Sequence, residues 1–341
     1  MTSRFSIADG DIELANTHLA VRLRPSKGAD VAAIRHLASG GDILWQTPWP
    51  EGRASAAVHR PGSPLSWIER CGGGWQLVLP NGGDECSFDG VEHHYHGDAA
   101  LLPWDVEEAD ATHALMTVRL LTLPLAVARR YDLDGDLLSV RTDVTNEGPI
   151  PVRLMWVEHV GLGGTLLDGT ARLSTGARSV VVDGRYDDPS NRLRQGAHGA
   201  WPLVAGTDGG DVDLRAVVPG ASCLAYLTDF SDSWVGLCRT DGSLGTVVTW
   251  DAGTHPYAWL WQQLRATQGP PWFGRANAIG VEPATSWPGQ GLAMVASTTR
   301  NEVTLGPGER RTGLIAIHVF SGMSEVTGAT RGRATGRLAK R

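Results

Sequence analysis

Apolar and polar residues alternate with a period of two along much of the chain, and this pattern restricts what the chain can fold into. Successive side chains of a β-strand point to opposite faces, so such a segment predicts a strand with one buried face. No segment longer than about ten residues has the period of an amphipathic helix. Eight segments show the alternation clearly: HLAVRLRP (18–25), ALMTVRLLTL (114–123), LLSVRTDVTN (137–146), VRLMWVEH (152–159), RLSTGARSVVV (172–182), CLAYLTDF (223–230), TVVTW (246–250) and GLIAIHVF (313–320).

The alternation predicts an all-β protein built as a large antiparallel sandwich. Turn sequences such as DLDGD, TNEGP and TDGS separate the strands. The chain has no repeat of about 40 residues, which argues against a propeller. Two long segments, 48–98 and 262–290, interrupt the strands, and we expect functional loops there. We expect one domain over residues 1–325 and a disordered tail over 326–341, because RGRATGRLAKR has five positive residues and no acid.

Charge and hydropathy exclude several classes of partner. The formal net charge is −7 and the acids are spread along the chain, which argues against a nucleic-acid surface. Neither a run of 18 apolar residues nor a secretory signal is present, so we expect a cytoplasmic monomer or homodimer that binds no membrane. The four cysteines form no CxxC pair; we expect reduced thiols, although the spacing also permits two disulfides.

The aromatic composition is unusual, with 13 Trp against five Phe and five Tyr. An indole has a large flat apolar face and an N–H donor, a combination that suits the core but also stacks on a sugar ring. Most of the tryptophans are expected in the core. The excess gives weak support for a carbohydrate ligand.

The stretch HHYHGDAALLPWDV (93–106) contains three histidines in four positions. In an extended chain His94, His96 and Asp98 share one face. A metal site would need a third protein ligand, for which Asp84 and Glu85 are the nearby acids. The alternatives are histidines that bond to the backbone of a loop and histidines that contact a hydroxyl-rich substrate. We favour the substrate and predict no metal.

Two further residues stand at the ends of strands. His159, in WVEH, is either a satisfied core histidine or a group whose pKa lies near neutrality. Glu282 ends a buried strand before Pro283, so it is either a general base or a structural hydrogen-bond acceptor. Arg70 and Trp75 flank three glycines, which allow the backbone to approach a ligand closely. The chain has no phosphate loop, GxGxxG fingerprint, GxSxG elbow or HExxH motif.

Three segments together resemble the aldose 1-epimerase (galactose mutarotase) family, and most closely its divergent branch. They are GGWQLVLPNGGDECSFDGVEHHYHGDAALLPWDV, NEGPIPVRLMWVEHVGLG and AIGVEPATSWPG. Their order and spacing carry the resemblance, which covers about residues 10–320. It implies a β-supersandwich with a cleft on its concave face. It also implies a free sugar as the small-molecule partner, whose α and β anomers are interconverted without a cofactor.

The resemblance also implies roles for particular residues. His159 matches the family's general acid, Glu282 its general base and His96 its substrate-binding histidine. Arg70 is a weaker match to an arginine that contacts sugar hydroxyls, and His94 is a second candidate for such a contact. No equivalent of the family's further substrate-binding aspartate is found, which leaves the sugar open. The remaining candidates for contact with the sugar are Trp75, Trp104, Trp261 and Gln263.

Other functions are compatible with the same fold. One is an epimerase, isomerase or lyase that acts on an unusual or oxidised sugar. Another is a carbohydrate-binding protein without catalysis.

Overall fold

The computed structural model describes residues 4–8, 10–49 and 63–339. Strands make up 53% of the structure and helices 5%, which confirms the all-β prediction. The first half contains the strands β1 (Arg4–Ala8), β2 (Asp11–Ala15), β3 (Leu19–Arg24), β4 (Asp30–His36), β5 (Trp75–Val78), β6 (Cys86–Phe88), β7 (Val91–His93), β8 (Asp105–Ala109), β9 (His113–Arg119), β10 (Leu125–Asp134), β11 (Leu137–Asn146), β12 (Val152–Leu154) and β13 (Val157–Leu162).

The second half continues in the same way. Its strands are β14 (Ala171–Val182), β15 (His198–Ala200), β16 (Leu203–Ala205), β17 (Asp211–Asp213), β18 (Ser222–Arg239), β19 (Gly245–Trp250), β20 (Tyr257–Leu264), β21 (Asn277–Ala284), β22 (Val303–Leu305), β23 (Arg310–Phe320), β24 (Met323–Thr330) and β25 (Arg333–Leu338). The helical elements are α1 (Ser63–Arg70), α2 (Leu292–Ser297) and a 3₁₀ turn (Gly164–Leu167).

One large antiparallel sheet is folded over on itself into two layers. Its first layer runs β1–β2–β3–β4–β5–β13–β21–β20. The long strand β18 then pairs with β20 through its first half and with β19 through its second half. The second layer continues β19–β23–β11–β10–β9–β8. The nearly closed sheet confirms the predicted β-supersandwich.

The two layers are joined in the core by the carboxylate of Glu158. This side chain is fully buried and accepts hydrogen bonds from the Trp75 and Trp156 indoles at 2.7 and 3.0 Å. The guanidinium of Arg129, also fully buried, donates to it at 3.0 Å. A buried carboxylate is tolerated only when it is paired and hydrogen-bonded in this way. The interaction therefore connects β5 and β13 of one layer with β10 of the other.

The predicted strands agree with the structure in most places, with a few differences. VRLMWVEH is split between β12 and β13, because Met155 and Trp156 leave the ladder. The predicted disordered tail differs from the structure, in which residues 326–338 form most of the β24–β25 hairpin. Val326 is buried against Trp234 in a small apolar cluster, and Arg333 pairs with Asp136. These contacts hold a segment that composition alone marks as solvated.

The structure also bears on the expectations for the cysteines and for a membrane-spanning segment. All four cysteines are free thiols. Within the described ranges, no helix is long and apolar enough to cross a membrane.

The buried ion pair yields a stability prediction. Replacing Arg129 by Met leaves the Glu158 carboxylate buried without its cation, and we expect the free energy of unfolding to fall by about 3–5 kcal/mol. The exposed neighbour Arg130, replaced by Met, should change it by less than about 0.5 kcal/mol. Urea denaturation measures both. Equal stabilities for the two variants would contradict a structural role for the pair.

Candidate active site

The register of two neighbouring strands brings His159 and Glu282 face to face. In the β13–β21 ladder Val157 lies opposite Ala284 and Val160 opposite Val281, which puts His159 opposite Glu282. Their side chains share one face, and His159 Nε2 lies 3.5 Å from Glu282 Oε1. Directly opposed residues of antiparallel strands are close enough to act together.

This pair lies in a cavity of about 750 Å³ on the face of the first layer opposite to the Glu158 core. Strand β20 contributes three alternate residues, Trp259, Trp261 and Gln263, to the lining. Helix α1 contributes Trp67, and residues 183–189 after β14 form another wall. A concave, largely aromatic pocket with a few converging polar groups is typical of a small-molecule site.

His96 is fixed in this cavity by reciprocal hydrogen bonds with Gly83. The backbone N–H of Gly83 donates to the ring nitrogen His96 Nδ1 at 3.0 Å, and the backbone N–H of His96 donates to the Gly83 carbonyl at 2.9 Å. In the neutral ring the proton is therefore on Nε2, which is left to donate to a ligand. Position 83 requires glycine, because its φ is +81° and a Cβ there would overlap the carbonyl oxygen of Gly289.

Burial controls the charges of the facing pair. Desolvation raises the pKa of Glu282 to about 8 from its ordinary value of 4.5. Burial, with the Lys27 ammonium nearby, lowers the pKa of His159 to about 4. Burial also lowers the pKa of His96 well below its ordinary value. At neutral pH the single proton of the pair is therefore on Glu282, whereas the family resemblance had implied that His159 is the acid.

Two groups of aromatic rings border His159. Trp67 lies 5.9 Å from the His159 ring centroid and 4.6 Å from that of His96, and Tyr95 packs on His96 at 4.0 Å. The second group starts at Trp261, whose centroid is 6.5 Å from that of His159. It continues through three more of the cavity-lining tryptophans, Trp45, Trp49 and Trp272.

The cavity brings together four of the nine residues predicted from sequence, namely His159, Glu282, His96 and Trp261, and a fifth, Gln263, also lines it. The amide of Gln263 is largely engaged, because its oxygen accepts from the Ala266 and Thr267 N–H groups at 3.1 and 2.9 Å. It thereby fixes the turn after β20.

The other four predicted residues do not line the cavity. Arg70 is exposed at the end of α1, and His94 is exposed in the turn before His96. That turn breaks the extended geometry assumed for the histidines, since His96 has a φ of +59°. Trp75 is buried in the core at Glu158, and Trp104 is buried with its indole donating to the Ala99 carbonyl at 3.1 Å.

Sequence reasoning missed several cavity residues. Trp67 comes from a helix with no strong sequence signal, and in an extended chain Tyr95 would point to the opposite face from His96. The wall at 183–189, which includes Asp183 and Arg185, follows a strand and has no motif. The tryptophan excess was the one signal that pointed toward such a pocket, because six of the 13 indoles line it.

The residues 10–49 and 63–339 contain no group of three His, Cys, Asp or Glu side chains arranged to hold a metal ion. The possible third ligands of the histidine stretch, Asp84 and Glu85, are exposed.

A family model described as a domain of unknown function, DUF4432, matches residues 10–319. The chain belongs to the DUF4432 family. No curated protein matches its sequence. The match includes both strands of the His159–Glu282 pair and the His96 turn, so the cavity lies inside the family's domain.

Solved structures share the fold of this DUF4432 protein at low sequence identity. A "putative aldose 1-epimerase" of Klebsiella pneumoniae has a TM-score of 0.68 at 15% identity, with 89% of this chain and 77% of that chain covered. Galactose mutarotase-like proteins of Clostridium acetobutylicum and Lactobacillus casei have TM-scores of 0.66 and 0.63 at 14% and 16% identity. Coverage is 93% and 91% of this chain and 98% and 100% of theirs. The fold is galactose mutarotase-like.

The raised pKa of Glu282 predicts how stability depends on pH. Between its ordinary value of 4.5 and about 8, the folded state keeps a proton on Glu282 that the unfolded state releases. The free energy of unfolding of the wild type therefore falls as pH rises through this window. Glu282→Gln removes this loss, so from pH 5 to pH 8 the variant should gain more than about 1 kcal/mol relative to the wild type.

Urea denaturation at the two pH values measures the difference. The exposed Glu92, replaced by Gln, serves as the control and should follow the wild type. Parallel pH curves for the wild type and Glu282→Gln would contradict the raised pKa.

Proposed function

We propose that this DUF4432 protein interconverts the α and β anomers of a free sugar, as an aldose 1-epimerase-like isomerase without a cofactor. The observation that carries the proposal is the facing pair, with His159 Nε2 3.5 Å from Glu282 Oε1 in an aromatic-lined cavity. A sugar's hemiacetal carbon bears both the C1 hydroxyl and the ring oxygen. Two adjacent groups can therefore reach the two oxygens at once.

The charge of the cavity favours a neutral sugar. Among its described lining residues, Arg185 is the one Lys or Arg, against five carboxyl groups: Asp84, Asp183, Asp187, Asp188 and Glu282. A uronate or sugar phosphate would meet this excess of acids without enough cations to pair with it. A lyase acting on an acidic polysaccharide would need the opposite balance, so this alternative is disfavoured.

Each half of the reaction moves one proton to the sugar and one from it. With the pair's proton on Glu282, its carboxyl group protonates the ring oxygen while His159 takes the proton of the C1 hydroxyl. The bond between C1 and the ring oxygen breaks and the open-chain aldehyde forms. After rotation about C1–C2, the ring closes on the other face and the two protons return. His96, through its Nε2–H, orients a hydroxyl of the ring.

Both members of the pair are needed for these transfers. A positioned acid or base contributes about 10²–10⁴-fold, so His159→Ala and Glu282→Gln should each lower kcat/KM for anomer exchange by about that factor. Exchange is measured by NMR magnetisation transfer on a panel of aldoses, with Glu92→Gln as the control. Full activity of both variants on every sugar that the wild type turns over would refute the assignment.

The pH dependence of the exchange tests the arrangement of the proton. The pair carries a single proton between the pKa of His159, about 4, and that of Glu282, about 8. Above pH 8, kcat/KM should therefore fall about tenfold per unit as Glu282 loses its proton. Activity should hold between pH 7 and pH 5.5. A fall in kcat/KM within this range would mean that His159 titrates as an ordinary imidazole. The rate of uncatalysed exchange is subtracted at each pH.

A further inference from the structure

The cavity is larger than one sugar ring needs. Its volume of about 750 Å³ lies in the upper part of the range of about 300–1,000 Å³ for pockets that enclose drug-sized ligands. The facing pair and His96 form one compact group within the lining, since the rings of His96 and His159 are 5.8 Å apart. Space therefore continues past the reacting carbon.

The second aromatic group lines this additional space. From His159 to Trp261 the ring centroids are 6.5 Å apart, from Trp261 to Trp272 5.7 Å, and from Trp272 to Trp49 5.6 Å. Each step is comparable to the width of a pyranose ring. The row therefore extends beyond the first sugar, and we call Trp261, Trp272 and Trp49 the tryptophan row.

The tryptophan row has free ring surface. All three of its members are partly exposed, whereas Trp45 is 6% exposed and packs behind them against Ala276 and Ala278. Large partly exposed apolar surface inside a pocket indicates a ligand that covers it.

Polar groups accompany the row. Tyr186 is hydrogen-bonded to Trp261, and Arg185 and Asp187 line the same cavity with exposed side chains. Neither of these two side chains has a hydrogen-bond partner within the described part of the chain. Flat indole faces beside free donors and acceptors suit the apolar face and the hydroxyl rim of a sugar. An aromatic substituent would leave the charged groups without partners.

We infer that the proposed anomer-exchange site takes a reducing disaccharide or longer oligosaccharide. The reducing ring lies at His159 and Glu282, and the second ring packs on the tryptophan row. This inference rests on the proposed function, and it specifies the substrate class for that site.

Turnover tests the inference first. Anomer exchange is measured for glucose and galactose and for the reducing disaccharides cellobiose, maltose and lactose. At least one disaccharide should have a kcat/KM about tenfold above that of the hexoses, as expected for one added ring stack. Trp272→Ala should lower the ratio of disaccharide to hexose kcat/KM about tenfold. Phe273, the neighbouring residue, is 56% exposed and lies outside the cavity lining, so Phe273→Ala should leave that ratio unchanged.

Binding separates this inference from the proposed function. Calorimetric titration of folded Glu282→Gln, with and without Trp272→Ala, measures affinity in the absence of turnover. Tighter disaccharide binding that depends on Trp272, with no exchange of any sugar by the wild type, would support the two-ring site and refute the isomerase. Exchange of hexoses, with disaccharides neither preferred nor bound more tightly, would overturn the two-ring site alone. A gain seen only with a benzyl-substituted hexose would overturn the second sugar ring as the occupant.

Discussion

The buried Glu158 carboxylate connects the core of this molecule to its cavity. Its acceptor bonds from Trp75, Trp156 and Arg129 join the two layers of the sandwich. Because side chains alternate along β13, the next residue, His159, points to the opposite face and into the cavity. The interaction that fixes the layers therefore also fixes the strand that carries one member of the candidate catalytic pair. The packing of the core thus sets the positions of the side chains at the site, as expected when functional groups stand on strands rather than loops.

The same burial that organises the cavity determines its proton chemistry. Desolvation by burial is the largest cause for both His159 and Glu282, and it moves their two pKa values past each other. A pair with one proton can act in both directions, which suits a reaction whose forward and reverse steps exchange the roles of acid and base. Burying this pair lowers the stability of the fold, a common trade-off at functional sites.

The sequence allowed the fold to be predicted because alternation is a local property. Strands with one buried face, such as β3 and β11, show it directly. Strand β5 is buried on both faces, so the pattern could not tell that Trp75 points to the core. His159, Glu282 and His96 were found through a family resemblance, since they are far apart in the chain. The tryptophan row combines residues from segments around positions 49, 261 and 272, and nothing local in the sequence indicates that these segments meet.

The placement of the indoles gives the molecule an optical property. Six of the 13 tryptophans, Trp45, Trp49, Trp67, Trp259, Trp261 and Trp272, line one cavity. Indole emission responds to the polarity of its surroundings, and a ligand that fills the cavity changes the surroundings of nearly half of the fluorophores at once. The intrinsic fluorescence of the unlabelled protein therefore reports ligand binding. Occupancy of the cavity can be followed by tryptophan emission even for compounds that undergo no reaction.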